Sequence, residues 1–138
     1  MSKEKIYSIH EISEMFDLPT STLRYYEEVG ILTKVERTGN NQRVYKEMHV
    51  NRLKTICCFK RAGMSISELQ KFFHYEETED ESIDQIVELL EKRKRTVEEQ
   101  IEELKKDYIH VQKKLRFYTD IQKAVHTGTE KPQWEDYK

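Results

Sequence analysis

Eleven consecutive residues, Thr22-Leu23-Arg24-Tyr25-Tyr26-Glu27-Glu28-Val29-Gly30-Ile31-Leu32, put an apolar anchor, a guanidinium, two phenols and a helix stop on one short segment. That combination is what a short helix needs to sit in a DNA groove. Leu23, Tyr26 and Val29 recur at helical spacing and can face a core, while Ser21, Arg24, Tyr25 and Glu28 point elsewhere. Gly30 suits the left-handed position that ends a helix, and Ile31 supplies the hydrophobic contact that often follows. Taken alone, the segment equally fits an ordinary amphipathic helix with a solvated arginine, so its flanks decide.

The flanks supply a framework. Ser8-Ile9-His10-Glu11 forms a capping box that starts a helix over about Ile9 to Phe16, with Ile9, Ile12 and Phe16 as its buried stripe. Asp17-Leu18-Pro19 makes a tight turn, and Pro19 is well placed at the start of the next helix because its missing N–H would be orphaned there anyway. Helix, short turn and helix, with Ser21, Arg24 and Tyr25 free on the second, is the layout of a helix-turn-helix. After Gly30, the stretch Val35 to Tyr45 predicts a two-stranded hairpin around Gly39-Asn40-Asn41, leaning on the helices. Arg37, Gln42 and Arg43 near its tip can reach phosphates as a wing does, although a solvated turn that carries arginine has the same composition.

A third helix is expected over about Lys46 to Ala62, stopped by Gly63, and a second capping box, Ser65-Ile66-Ser67-Glu68, opens a fourth to about Tyr75. The acidic run Glu76 to Glu81 has no apolar residue and is expected to be a solvated linker and helix approach. Beyond it, Ile83, Val87, Leu90, Lys94, Val97, Ile101, Leu104, Tyr108, Val111, Leu115, Tyr118, Gln122 and Val125 alternate at spacings of four and three. A helix of that span, about 60 Å long, keeps one face apolar and needs a partner helix. No other segment is long enough, so a second copy is expected to pair through Leu90, Val97, Ile101, Leu104, Tyr108, Val111 and Leu115. The expected organisation is therefore mainly α. A winged helix-turn-helix DNA-binding domain (1–75) and acidic linker (76–81) precede a coiled-coil dimerisation helix (82–126) and a C-terminal tail (127–138). Pro132, Trp134 and Tyr137 make that tail either a frayed end or a small aromatic clasp on the dimer.

Composition agrees. Charged residues are 36% of the 138, and only four Gly and two Pro interrupt the helices. Residues 1 to 75 carry 12 Lys and Arg against 9 Asp and Glu, whereas the remainder carries 12 against 17, which permits nucleic-acid contact by the N-terminal half. No apolar run approaches the roughly 20 residues that span a bilayer and no signal peptide opens the chain, so no membrane partner and a cytoplasmic location are expected. No Gly-rich phosphate loop or nucleophile and base pair stands out, so an enzyme is not expected. The only cysteines, Cys57 and Cys58, are adjacent, and His110 and His126 are isolated, so neither a structural disulfide, a metal site nor a cofactor is expected.

In order and spacing, Leu23-Arg24-Tyr25-Tyr26-Glu27 with Gly30-Ile31-Leu32, then Arg43-Val44-Tyr45, Ala62 to Leu69 and the long heptad helix, the chain resembles the MerR family of bacterial transcription regulators. The resemblance implies an antiparallel coiled-coil homodimer that binds a palindromic operator in double-stranded promoter DNA. It also implies distortion of the DNA so that RNA polymerase is affected indirectly. Carried over by position, Ser21, Arg24, Tyr25 and Tyr26 serve from the recognition helix, Arg37, Arg43 and Tyr45 from the wing, and Lys60 from the third helix. Two departures stand out: Asn41-Gln42 replaces the usual Gly-Tyr before the wing arginine, and Pro19 replaces the usual Ser or Thr cap.

Cys58 lies five residues before Gly63, where the aldehyde- and thiol-stress members of AdhR and NmlR type carry a reactive cysteine. Lys54, Lys60 and Arg61 are near enough in sequence to favour a thiolate there. Buried free cysteines more often simply pack, and Cys57 shares the phase of Leu53. A stress response through Cys58, a non-covalent small ligand between tail and coiled coil, and no effector all stay open. An architectural or excisionase-like DNA-bending protein and a coiled-coil adaptor are the rival classes.

Overall fold

In the computed structural model, which describes residues 4–138, the Ser8 hydroxyl accepts the Glu11 amide at 3.1 Å and the Glu11 carboxylate accepts the Ser8 amide at 3.0 Å. The helix this box starts, α1 (Ile9–Phe16), is followed by α2 (Thr20–Glu28). No side chain caps α2; the Pro19 carbonyl accepts the amides of Thr22 and Leu23 instead, so the helix forms without the usual hydroxyl. Gly30, at φ +79°, lets the chain leave α2 with the amides of Ile31 and Leu32 turned back to the Tyr26 carbonyl.

The expected hairpin is part of a three-stranded antiparallel sheet. Strand β1 (Ile6–Tyr7) joins β2 (Glu36–Arg37) and β3 (Arg43–Lys46) in the order β1-β3-β2, with Tyr7 opposite Tyr45 and Arg37 opposite Arg43. Two residues are too few to show alternation, which is why β1 escapes a sequence reading. Between β2 and β3 the turn closes through Thr38 and Gln42, with the Thr38 amide on the Gln42 carbonyl at 2.8 Å, and Asn41 rather than Gly39 takes positive φ.

Helix α3 (Glu47–Arg61) leads through Gly63 (φ +92°) to α4 (Ile66–Glu77), and the second capping box, Ser65 with Glu68, is formed. The linker and helix approach expected over 76–81 is exposed and almost wholly helical. Glu76 and Glu77 finish α4, Thr78 alone separates the helices, and Glu79, Asp80 and Glu81 open α5 (Glu79–Thr127). Carboxylates in a first helical turn face the unpaired amides there, so the acidic run is a favourable helix start.

Two compact units divide the chain, one ending at Arg93 and one spanning Lys94–Lys138. The first extends past the expected boundary because Ile86 is buried and Leu89 half-buried on the same core as Ile12, Leu23, Leu53, Ile56, Leu69 and Phe73. Arg93 closes it, donating to the Ala62 carbonyl at 3.2 Å and the Glu68 carboxylate at 2.6 Å. Burial acts to raise the Glu68 carboxyl, but its hydrogen bonds to Arg93 and Ser65 outweigh this and hold it below its ordinary value.

In the second unit, Gly128 (φ +67°) turns the chain back and a single 3₁₀ turn, Trp134–Asp136, packs on α5. Trp134 lies 5.4 Å from the buried Phe117, the Lys114 ammonium sits 3.8 Å from the Trp134 ring centre, and the Tyr137 hydroxyl donates to Asp120. The tail is thus clasped on its own helix. The heptad face is left open, with Leu104 at 68% and Leu115 at 67% exposure.

Among the described residues, His49 is the one buried charged or polar side chain outside the apolar and aromatic core, and nothing in the sequence marks it. Its Nδ1 accepts the Lys46 amide at 2.9 Å and its Nε2 lies 2.9 Å from the Thr33 carbonyl, so it satisfies the start of α3 and the loop after α2 together. His49→Ala strands both backbone groups. Urea denaturation of the variant should show a loss of about 2–4 kcal/mol; an unchanged midpoint would remove this role.

Candidate nucleic-acid interface

Helix α2 is held from behind and at its end. Leu23 and Tyr26 are buried beneath it. Past its last turn, the Val29 carbonyl accepts Gln70 Nε2 at 2.8 Å from α4, and the Ile31 carbonyl accepts Arg52 Nε at 2.7 Å from α3. Arg52 also lies 3.7 Å over the Phe73 ring, so its own position is fixed by packing. Carbonyls at a helix end want donors, and here both donors come from helices of the core.

With the back of α2 fixed, its front carries Ser21, Arg24, Tyr25 and Glu28, all exposed. Beside it stands the wing, tied on by one ion pair: Arg43 Nε to Glu27 Oε2 at 2.6 Å, both side chains about one-fifth exposed. Arg43 is therefore a strut between β3 and α2 as well as a surface cation. Arg37 is exposed and reaches Asn41, 3.4 Å to Oδ1, across the turn. Between these elements lies a cleft of about 250 Å³ lined by Ser8, Ile9, His10, Arg24, Asn41, Gln42 and Arg43. The start of α1, the front of α2 and the wing tip thus meet in one place, with two arginines and four more polar residues in the lining.

Two of the residues expected at the surface are not there. Tyr26 is 6% exposed because it shares the inner face with Leu23, and burial, then the neighbouring Cys57 and Tyr25, push its phenol up. Tyr45 is fully buried, its hydroxyl lacks any hydrogen-bond partner, and its ring meets His49 edge-on at 5.8 Å. Burial and then Glu27 push its pKa up to about 12, against the lowering effect of Arg43, Arg24 and Arg37. Both tyrosines support the interface from inside. Lys60 is exposed on the last turn of α3 and is not among the residues lining the cleft. His10 and the supporting Glu27 were not legible as site residues: Ser8 to Glu11 reads as a cap, and Glu27 as one more solvated carboxylate.

Cys58 is exposed and Cys57 half-buried, with burial pushing the Cys57 thiol up against the effect of Arg61. Among the described residues no group of three His, Cys, Asp or Glu is placed to hold a metal ion, and no helix is long and apolar enough to cross a membrane.

A recognition helix with a free polar front, set beside a wing on a sheet, defines a winged helix-turn-helix DNA-binding regulator. Comparison with known proteins agrees. Residues 7–76 match the MerR HTH family regulatory proteins and residues 50–106 a second MerR DNA-binding pattern. An HTH-type transcriptional regulator of Haemophilus influenzae is 30% identical over 125 residues, covering 91% of this chain and 90% of that one. AdhR of Bacillus subtilis is 35% identical over 65 residues, covering 47% of this chain and 46% of its own. The crystal structure of HiNmlR, a MerR family regulator lacking the sensor domain and bound to promoter DNA, superposes with a TM-score of 0.75 at 29% identity, covering 91% of this chain and 97% of that one. The chain belongs to the MerR family: it is a sequence-specific DNA-binding regulator that acts through its helix-turn-helix domain, in a family of regulators rather than enzymes.

Because the Tyr45 hydroxyl is buried and unpaired, Tyr45→Phe should leave DNA affinity unchanged in fluorescence anisotropy and hold or raise folding stability by about 1 kcal/mol. A loss of affinity on removing that one oxygen would put it back at the DNA surface.

Proposed function

We propose that this protein works as a homodimer, setting two winged helix-turn-helix units on the halves of a palindromic promoter operator and distorting the DNA between them to control transcription. The cleft at the meeting of α1, α2 and the wing carries this reading, because it gathers Arg24, Gln42 and Arg43, which offer a phosphate two guanidiniums and an amide side chain. Ser21, Arg24 and Tyr25 face the bases and adjacent backbone, Arg37 extends the wing along the duplex, and Lys60 adds a phosphate contact beyond the cleft. The exposed heptad face from Leu90 to Leu115 supplies the dimer, since apolar side chains left open in that number mark an association surface. Bending or untwisting a site costs on the order of a few kcal/mol, which phosphate contacts on two half-sites can offset and one cannot. RNA polymerase responds through the altered DNA shape. HiNmlR, with promoter DNA bound, supports the reading.

For the signal, Cys58 is our candidate, as a thiol that electrophiles such as aldehydes modify. It is exposed where Cys57 is not, and its position suits transmission. The Cys58 carbonyl accepts the Ala62 amide at 3.0 Å, and the Ala62 carbonyl in turn accepts Arg93 from α5. A change in the last turn of α3 therefore reaches the α5 contact in two hydrogen bonds. The similarity to AdhR covers about half of each chain, so the inducer is a proposal of this chain's own thiol chemistry.

Arg24→Ala should weaken operator binding by about 1–3 kcal/mol in a titration at fixed salt; unchanged affinity would remove α2 from recognition. Transcription in vitro from the cognate promoter, with and without a reactive aldehyde, should respond in the native chain and stay flat in Cys58→Ser. Equal responses from both would return Cys58 to packing while leaving the DNA-binding function intact.

A further inference from the structure

The open face of α5 carries a charge pattern that selects one way of pairing with a second copy. Within Lys94–Lys138, the exposed or half-exposed seam runs Lys94, Val97, Ile101, Leu104, Tyr108 and Val111. One flank of that seam holds Glu98 and Lys105, and the other Gln100 and Asp107. Lys94 is not idle at the seam: its ammonium lies 3.2 Å from Glu98 of the next turn. Lys105 is held in the same manner by Glu102 at 3.1 Å. Each helix therefore presents two ready-made pairs in series along one edge, of alternating sign.

A parallel, in-register pair would place Lys94 against the partner's Lys94 and Tyr108 against the partner's Tyr108 inside the seam. Two ammonium groups in a desolvated layer repel, and two phenol rings in one layer crowd. Antiparallel pairing, the direction that the family resemblance implies, removes both conflicts, but the direction alone leaves heptad shifts open. If Ile101 meets the partner's Val97, Glu98 faces the partner's Glu98 across the axis. If Ile101 meets the partner's Val111, Lys105 faces the partner's Lys105 and Asp107 the partner's Asp107. In the alignment between them, Ile101 layers on the partner's Leu104, Tyr108 on the partner's Val97, and Lys94 on the partner's Val111. Large side chains then meet small ones, and Glu98 faces the partner's Lys105 twice, once on each side of the dyad.

We propose that the second copy pairs antiparallel in this intermediate alignment, with the Glu98 carboxylate bridging Lys94 of its own chain and the partner's Lys105 as the device that fixes the register. Ion pairs at the edge of a coiled coil contribute little to affinity and much to choice of partner and alignment, because each wrong register turns an attraction into a repulsion. The Tyr108 hydroxyl keeps a local partner at the rim, Gln112 Nε2 at 3.1 Å, so the ring can lie in the seam without stranding its polar end. This inference rests on the antiparallel homodimer proposed above and adds the register and the residues that set it.

The test is a charge exchange on the full chain, read by sedimentation equilibrium at low salt. Glu98→Lys alone and Lys105→Glu alone should each weaken self-association by about tenfold or more, since two attractions become two repulsions. The double variant Glu98→Lys/Lys105→Glu should recover the native dimer, and a mixture of the two single variants should form a heterodimer. These side chains are exposed on a helix, so circular dichroism should be unchanged in all of them. Cross-linking gives an independent readout in a chain whose Cys57 and Cys58 are replaced by Ser. Val97→Cys and Tyr108→Cys should form a disulfide only with each other, because two copies of position 97 lie about 16 Å apart in this alignment, beyond disulfide reach. A native dimer in which the double variant is no better than the singles, or in which Val97→Cys links to itself, overturns the alignment and spares the homodimer. A native chain that sediments as a monomer overturns both.

Discussion

The capture of the α2 exit by the core is the constraint on which the rest of the DNA-binding unit depends. A nine-residue helix is too short to be stable alone, and its last carbonyls would otherwise face water or nothing. Here Gln70 from α4 and Arg52 from α3 each give an N–H to the two carbonyls that follow the helix, Val29 and Ile31, while Leu23 and Tyr26 anchor its back. Every exposed side chain on the front of α2 inherits its position from those four contacts. The same arrangement makes α3 and α4 the frame against which α2 is set, so any shift of the α3 and α4 junction is felt at the recognition surface.

Charge at the interface is organised with the same economy. Arg43 is tied to Glu27, which holds the wing against α2 and leaves Arg24 and Arg37 as the more open cations. Beneath them lies the unpaired hydroxyl of Tyr45, a polar atom that the fold gives up to place a flat ring against His49. Buried polar atoms without partners are rare, and this one sits where four charged residues, Glu27, Arg43, Arg24 and Arg37, all act on it. The ring is needed for packing and the oxygen is carried along.

Much of this was legible in the residues, and the parts that were not share physical causes. Capping boxes at Ser8 and Ser65, the glycine stop at Gly30 and the heptad stripe are local or periodic signals, and each element they predict is present. Strand β1 has two residues and therefore no period. The acidic run reads as a linker and helix approach, but polarity alone does not show that the break between the helices is Thr78 alone. Side-chain burial was the harder quantity: Tyr26 and Tyr45 carry polar tips that suit a phosphate, and only the three-dimensional core shows that they point inward. His49, Glu27 and His10 act through partners sixteen or more residues away or through a cleft shared by three elements, which no window along the chain contains.

The long helix illustrates how one periodicity can serve several surfaces. Its heptad positions stay open, yet in the N-terminal unit Ile86 and Leu89, off that stripe, join the core, and Arg93 closes the junction of α3 and α4. In the C-terminal unit Phe117, again off the stripe, is covered by Trp134 and Tyr137 of the returning tail. A helix that was apolar on all these faces would be insoluble as a single chain and indifferent in pairing. The design avoids this by satisfying the off-stripe faces within each chain, through the core at one unit and the Trp134 and Tyr137 clasp at the other. What stays open is the heptad stripe, with Ile109 beside it, edged with Glu98, Lys105 and Asp107, and a stripe with charged edges can discriminate among alignments in a way that a wholly apolar cylinder cannot.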